Sequence, residues 1–168
     1  MPSIDLPKTR VIAFVGPAGT GKSQRAQVVA LENEVDYIID DGLVIAKGRI
    51  MAGKSAKAEK NLVRAIRRAL FQFPDHRKAV LSFLDKKRPR KLMIIATSIS
   101  MAEKISRALR LPYPEMIIDI TEVASPEEII KARRELHEKG QHVIPASRTQ
   151  IRKNFAGKLV GHLRGLFK

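Results

Sequence analysis

The chain of 168 residues contains no cysteine, which excludes a disulfide scaffold, a thiolate zinc site and cysteine nucleophile chemistry. It also has no tryptophan and only two tyrosines, so base stacking on single-stranded nucleic acid would have to rely on Phe71, Phe73 or Phe83. No apolar run approaches the length that crosses a bilayer. The opening residues, Met-Pro-Ser-Ile-Asp-Leu-Pro, lack a signal-peptide pattern. Together these absences lead to the expectation of a cytoplasmic protein. Acids are scarce as well: 17 Asp and Glu stand against 32 Lys and Arg, a formal net charge of +15.

That excess is clustered. Residues 43–91 hold 15 Lys and Arg against three acids, and residues 151–168 hold five against none. The remainder is close to neutral. Clustered positive charge points to an anionic partner: a nucleic acid backbone, an acidic membrane surface or a phosphorylated substrate. A solvated lysine-rich surface is the plainer alternative. With 44% hydrophobic residues, the length suits one domain with a real core. The expected division is a nucleotide-binding domain over 1–146 and a basic amphipathic tail over 147–168.

Residues Gly16, Pro17, Ala18, Gly19, Thr20, Gly21, Lys22 and Ser23 have the form G-x-x-x-x-G-K-[ST]. They follow the apolar run 11–15 and precede a helix-like stretch over 24–31. Strand, glycine loop and helix together are the context in which such a loop cradles phosphate. The glycines let successive N–H groups converge on one phosphate group, and the start of the helix adds its positive end. Lys22 is placed to neutralise the β/γ-phosphates, and Ser23 to ligate Mg²⁺. The expected ligands are ATP or ADP with Mg²⁺. Adenine is favoured over guanine because no N-K-x-D element is present.

These residues resemble the P-loop NTPase superfamily over roughly residues 9–42. The loop is similar to that of AAA-type ATPases. The start of the chain, with the acidic pair Asp40-Asp41, is also similar to small-metabolite kinases of the shikimate or adenylate kinase sort. The first resemblance implies a slow ATPase or nucleotide-dependent switch in which Asp40 or Asp41 completes the Mg²⁺ site. The second implies γ-phosphoryl transfer to a small acceptor met by Asp40 or Asp41. Asp-Asp-Gly is equally ordinary turn chemistry. Asp119 is a rival metal-site acid, expected in mid-strand. Thr97 and Ser98 end the strongest strand, where a polar side chain can sense a γ-phosphate or simply lead into a helix cap. Arg49, Arg77, Arg88, Arg90, Arg133, Arg134 and Arg148 are all candidates for the arginine that phosphoryl transfer uses, and nothing in the pattern selects one.

The expected fold class is α/β: a mostly parallel sheet of about five strands flanked by helices, the fold of P-loop NTPases. Residues 43–46 and 49–52 read as a β-hairpin around Lys47-Gly48, an insertion expected to project from the sheet or form an edge flap. Leu62, Ile66, Leu70 and Phe73 form a helical stripe expected in the core, with Pro74 ending that helix and Asp75 capping the next. Ser100 with Glu103 is expected to cap a helix running to about Leu111. Ser125-Pro126-Glu127-Glu128 carries three helix-start signals at once. His142–Ile144 reads as a last strand. Gly53-Lys54-Ser55, preceding a helix, either binds a second anion or repeats the loop's last residues by coincidence. In the tail, Ile151, Phe155, Leu159 and Leu163 share a face and Gly157, Gly161 and Gly165 weaken the helix. Such a stretch orders against its own domain, a partner or an anionic membrane, the last implying a peripheral membrane location.

Overall fold

A computed structural model describes residues 8–138. The apolar run forms β1 (Arg10–Val15). The glycine loop follows and leads into α1 (Lys22–Glu32). The chain then returns as β2 (Tyr37–Asp40), β3 (Leu43–Ala46) and β4 (Arg49–Gly53). Two helices come next, α2 (Leu62–Ala69) and α3 (Pro74–Lys87). The remaining elements are β5 (Lys91–Ala96), α4 (Ile99–Ala108), β6 (Met116–Asp119) and α5 (Pro126–Glu138).

The strands form one six-stranded mixed sheet in the order β4-β3-β2-β5-β1-β6. Strands β2, β5, β1 and β6 are mutually parallel, and β3 runs antiparallel to both of its neighbours, β2 and β4. β1 and β5 are buried on both faces after their first residue, which is why they read as continuous apolar runs. On one face Ile12, Phe14, Met93 and Ile95 pack with Ala26 and Val29 of α1. On the other, Val11, Ala13, Leu92 and Ile94 pack with Val80 and Leu84 of α3 and Ala102 and Ile105 of α4.

The hairpin at 43–53 is neither projecting nor a flap. β3 pairs with β2 along its length and β4 with β3, so the hairpin extends the sheet at its edge. The turn that joins β2 to it and the turn within it are both two-residue turns with positive φ at each position: Asp41 and Gly42 (58° and 90°), Lys47 and Gly48 (52° and 76°). That is the type I′ geometry whose twist suits antiparallel neighbours.

Several local readings are corrected. α2 buries Ala65, Arg68 and Ala69, while Leu62 and Ile66 are 40% and 38% exposed. The small face allows the helix to pack against the 3₁₀ turn Ala56–Ala58. α2 is capped by Asn61, whose side chain accepts from the Arg64 N–H at 2.9 Å. Pro74 opens α3 and Phe73 holds the cap position, with Asp75 in the first turn. Ser98, not Ser100, caps α4, accepting from the Met101 N–H at 3.1 Å, and the helix ends at Ala108. The start of α5 is as expected: Ser125 and Glu128 bond each other's backbone N–H at 2.8 and 3.1 Å. The expected strand at 142–144 and the tail at 147–168 lie outside the described residues, as does Arg148.

Candidate functional site

Because β2, β5, β1 and β6 are parallel, their carboxyl ends lie along one edge. Register places them in a row: Asp40 stands beside Ile95, and Val15 beside both Ala96 and Asp119. The segments leaving that edge are the Asp41-Gly42 turn, Thr97-Ser98, the glycine loop and the Asp119 turn. In open parallel sheets this is where ligands bind.

The loop is held in shape from within. Gly21 takes φ +94° at the N-cap of α1, a conformation that strains any side-chain-bearing residue. A Cβ on Gly16 would press against Ile120. Thr20 Oγ1 donates to the Pro17 carbonyl at 2.8 Å. Lys22 is 1% exposed, and its ammonium donates to the carbonyls of Gly16 (2.5 Å) and Pro17 (2.9 Å). Burial pushes the Lys22 pKa well below the usual lysine value; Asp40 and Asp119 oppose that shift and Arg133 adds to it. The charge is thus held in a poorly solvated position at the mouth of the loop, where an anion would stabilise it.

Ser23 and Asp40 meet across the sheet. One strand, β5, lies between β1 and β2, and the first turn of α1 reaches over it. Ser23 Oγ donates to Asp40 Oδ2 at 2.7 Å. Asp40 is 2% exposed, and its other oxygen, Oδ1, is buried with no hydrogen-bond partner. A buried carboxylate oxygen left unsatisfied is costly, and a hydroxyl beside a free carboxylate oxygen suits a hard divalent cation whose remaining ligands are water and phosphate. Among the described residues no group of three or more His, Asp or Glu could hold a metal by itself. The Ser23 hydroxyl and Asp40 Oδ1 are the groups here that could ligate a cation brought with a phosphate.

The two members of the acidic pair stand in different places. Asp40 ends β2 and faces Ser23, while Asp41 begins the turn, buried, with its carbonyl accepting from the Ala56 N–H at 2.9 Å. The strand register, not the composition, separates their roles. Asp119 ends β6 instead of sitting in mid-strand. It caps the 3₁₀ turn Ile120–Glu122, accepting from the Thr121 N–H at 3.0 Å while Glu122 bonds the Asp119 N–H at 2.9 Å. One of its carboxylate oxygens, Oδ1, thereby accepts from both the N–H and the hydroxyl of Thr121. Thr97 Oγ1 contacts Met101 Sδ at 3.5 Å and Ser98 is occupied as a cap. At the Gly53-Lys54-Ser55 segment the N–H of Lys54 bonds the Gly42 carbonyl at 3.2 Å, and just after it the N–H groups of Ala56 and Lys57 bond the Asp41 carbonyl and the Ser55 hydroxyl at 2.9 and 3.0 Å. It is a structural brace.

Comparison with family models, curated proteins and solved structures finds no match for this chain.

Two residues stand out only in three dimensions. Arg133, on α5, reaches back 115 positions and donates to the Ala18 carbonyl at 2.7 Å. α5 is set there by Arg25 of α1, which pairs with Glu128 at 3.2 Å and donates to the Val123 carbonyl. Of the arginines read from the sequence that lie among the described residues, Arg133 is the one with a hydrogen bond to the loop. His76, on α3, is 3% exposed, stacks on Phe71 at 4.8 Å and places Nε2 2.8 Å from the Gly42 carbonyl. Nε2 also lies 3.2 Å from the Lys54 N–H, so the tautomer sets whether it donates to Gly42 or accepts from Lys54, and Nδ1 is left buried without a hydrogen-bond partner. His76 thereby fastens the turn that follows Asp40. A lone histidine among helical residues gives no sequence signal for this.

Proposed function

We propose that this protein binds Mg-ATP in the loop at residues 16–23 and acts as a slow ATPase or nucleotide-dependent switch. The observation that carries the reading is the Ser23–Asp40 pair at 2.7 Å, with Asp40 Oδ1 buried and unsatisfied beside a glycine loop and its lysine. The backbone N–H groups of Gly16 to Gly21 wrap the phosphates, and Lys22 gives its ammonium to the β/γ-phosphates in place of its own loop carbonyls. Ser23 and Asp40 hold Mg²⁺, with Asp41 next to it in the chain; the cation supplies charge neutralisation at the γ-phosphate.

Arg133 adds a second positive charge near the loop. Because its side chain is exposed, it acts through ligand charge more than through packing. Arg133→Ala is expected to leave stability within about 0.5 kcal/mol and to slow ATP turnover by about tenfold or more, with a smaller change in KM. An unchanged kcat would remove Arg133 from the mechanism.

The direct test is ADP formation from Mg-ATP by the purified protein, with and without a pool of small-molecule acceptors, using Lys22→Ala as blank. Turnover that ignores acceptors supports the switch reading. ADP that forms only with acceptors replaces it with a metabolite kinase centred on the Asp40-Asp41 turn. In either case Asp40→Asn is expected to cut the Mg²⁺-dependent rate by about 100-fold, by removing the anionic partner of the cation. An Asn variant with full activity would overturn the metal-site assignment.

A further inference from the structure

Two groups of basic residues in the central section differ in how they are held. Arg64, Arg67 and Arg68 gather over the Phe73 ring at 4.3–4.8 Å, and Glu59 pairs with Arg64 at 3.0 Å and with Arg68 at 2.5 Å. Those charges are bound up in packing. The second group lines a trough of about 1200 Å³ beside α1, over strands β2, β3 and β4. Its cations are Lys47 and Arg49 from the hairpin, with Lys87, Arg88 and Arg90 from the connector before β5. Among the described residues only Arg88 of these pairs with a carboxylate, Asp85. The single acid in the lining, Asp36, already accepts from the N–H groups of Arg90 and Lys91.

The rest of the lining is aliphatic. Val28 and Leu31 on the outer side of α1 are 59% and 81% exposed, and Met51 on β4 is 40% exposed. The one aromatic ring in the wall, Tyr37, packs edge-on against Phe83 at 5.5 Å. Lys87 lies 5.9 Å over the Phe83 ring, and Lys47, Arg49 and Arg90 have no carboxylate partner among the described residues; such cations around exposed aliphatic side chains, with no ring offered for stacking, do not suit a nucleic acid strand. They suit a chain that carries acidic groups and aliphatic side chains together. A second copy of this protein brings the same positive trough and a net charge of +15. Residues 151–168 bring five cations and no acid. Both are repelled.

From this juxtaposition we infer that the trough between α1 and the hairpin is a docking site for an acidic amphipathic segment of another protein. The carboxylates of that segment meet Lys47, Arg49, Lys87 and Arg90, and its aliphatic face covers Val28, Leu31 and Met51. The trough lies off the amino-terminal part of the sheet edge near Arg88–Lys91, away from the glycine loop, so the inference stands independently of nucleotide binding.

The test uses fluorescence anisotropy on the full-length protein at about 0.15 M salt, where long-range attraction is screened beyond about 8 Å. The probe is a labelled peptide of about 15 residues with Leu on one helical face and Glu elsewhere. One control has every Leu replaced by Ser, and another is an oligo-dT of equal length. The leucine peptide is expected to bind at least about tenfold tighter than either control. Val28→Ser with Leu31→Ser is expected to abolish that preference, since both side chains are exposed and their loss should spare the fold. Arg49→Glu with Arg90→Glu is expected to weaken the peptide by about tenfold or more. Lys22→Ala should leave peptide binding unchanged, which separates this site from the loop. Equal binding of the serine peptide would reduce the trough to plain charge and overturn the inference. Tighter binding of oligo-dT would replace it with a nucleic acid surface. No binding of the leucine peptide, or indifference to the serine substitutions at 28 and 31, would also sink it.

Discussion

Replacing Lys22 with alanine is expected to remove Mg-ATP binding, with a fall in affinity of about 100-fold or more. The ammonium is buried at the mouth of the loop and can donate to more than one phosphate oxygen. Two charge-assisted hydrogen bonds at about 1.5–3 kcal/mol each account for a loss of that size. The variant should still fold, because removing a lysine whose charge is disfavoured by burial offsets the loss of its bonds to Gly16 and Pro17. Thermal unfolding separates the two effects. Saturating Mg-ATP raises the stability of the parent protein by about 2.7 kcal/mol at 100 times Kd, and the variant should gain nothing. The same lysine predicts a pH signature. Its pKa lies well below 10.5 in the free protein, whereas phosphate favours the charged form. Between those limits nucleotide binding takes up a proton and affinity falls as pH rises. Calorimetry in two buffers of different ionisation enthalpy reads that uptake. Unchanged affinity in Lys22→Ala would discard the site altogether.

How far this site can be read from the chain alone depends on how local each signal is. The glycine loop, both type I′ turns and the Ser125–Glu128 cap are set by residues close in sequence, and all are legible there. Asp40 and Asp41 are legible only as a pair. Which of them faces Ser23 depends on the register of β2 against β5, a pairing of residues far apart in the chain. The hairpin's turns are visible but its place in the sheet is not, since Leu43–Ala46 could pair with β2 or stand away from it with the same pattern. α2 misleads for another reason. Ala65 and Ala69 share a helical face as regularly as Leu62 and Ile66 do, and only the close approach of the Ala56–Ala58 turn selects the small face. Arg133 is one among many arginines in the sequence, and only the placement of α5 beside α1 sets it at the loop. His76 carries no pattern at all.

Acid should loosen the protein through that histidine, and through the turn at Asp40–Gly42 in particular. Burial lowers the His76 pKa from 6.5 to about 4, against the bond to Gly42, with the charges of Arg68 and Lys54 adding to the shift and Glu59 opposing it. The native ring stays neutral down to about 4, while the unfolded ring takes a proton below 6.5. Stability from this group is therefore complete above about pH 6.5 and falls as pH drops through the interval toward 4, where the loss levels off. At about 1.4 kcal/mol per pKa unit the full loss is roughly 3 kcal/mol, a large share of a typical folding free energy of about 5–15 kcal/mol. Glu59 belongs to the same corner; despite its burial, Arg68 and Arg64 hold its pKa below the usual carboxylate value. His76→Gln can keep a donor toward the Gly42 carbonyl without a titratable ring. Urea unfolding of the parent and this variant at pH 7 and pH 4.5 should show a steep acid loss in the first and a shallow one in the second. Parallel losses would mean that the acid sensitivity lies elsewhere. If Mg-ATP is held by Asp40, bound nucleotide should also lessen the parent's acid loss, because opening the Asp41-Gly42 turn then requires breaking the cation site to which β2 contributes.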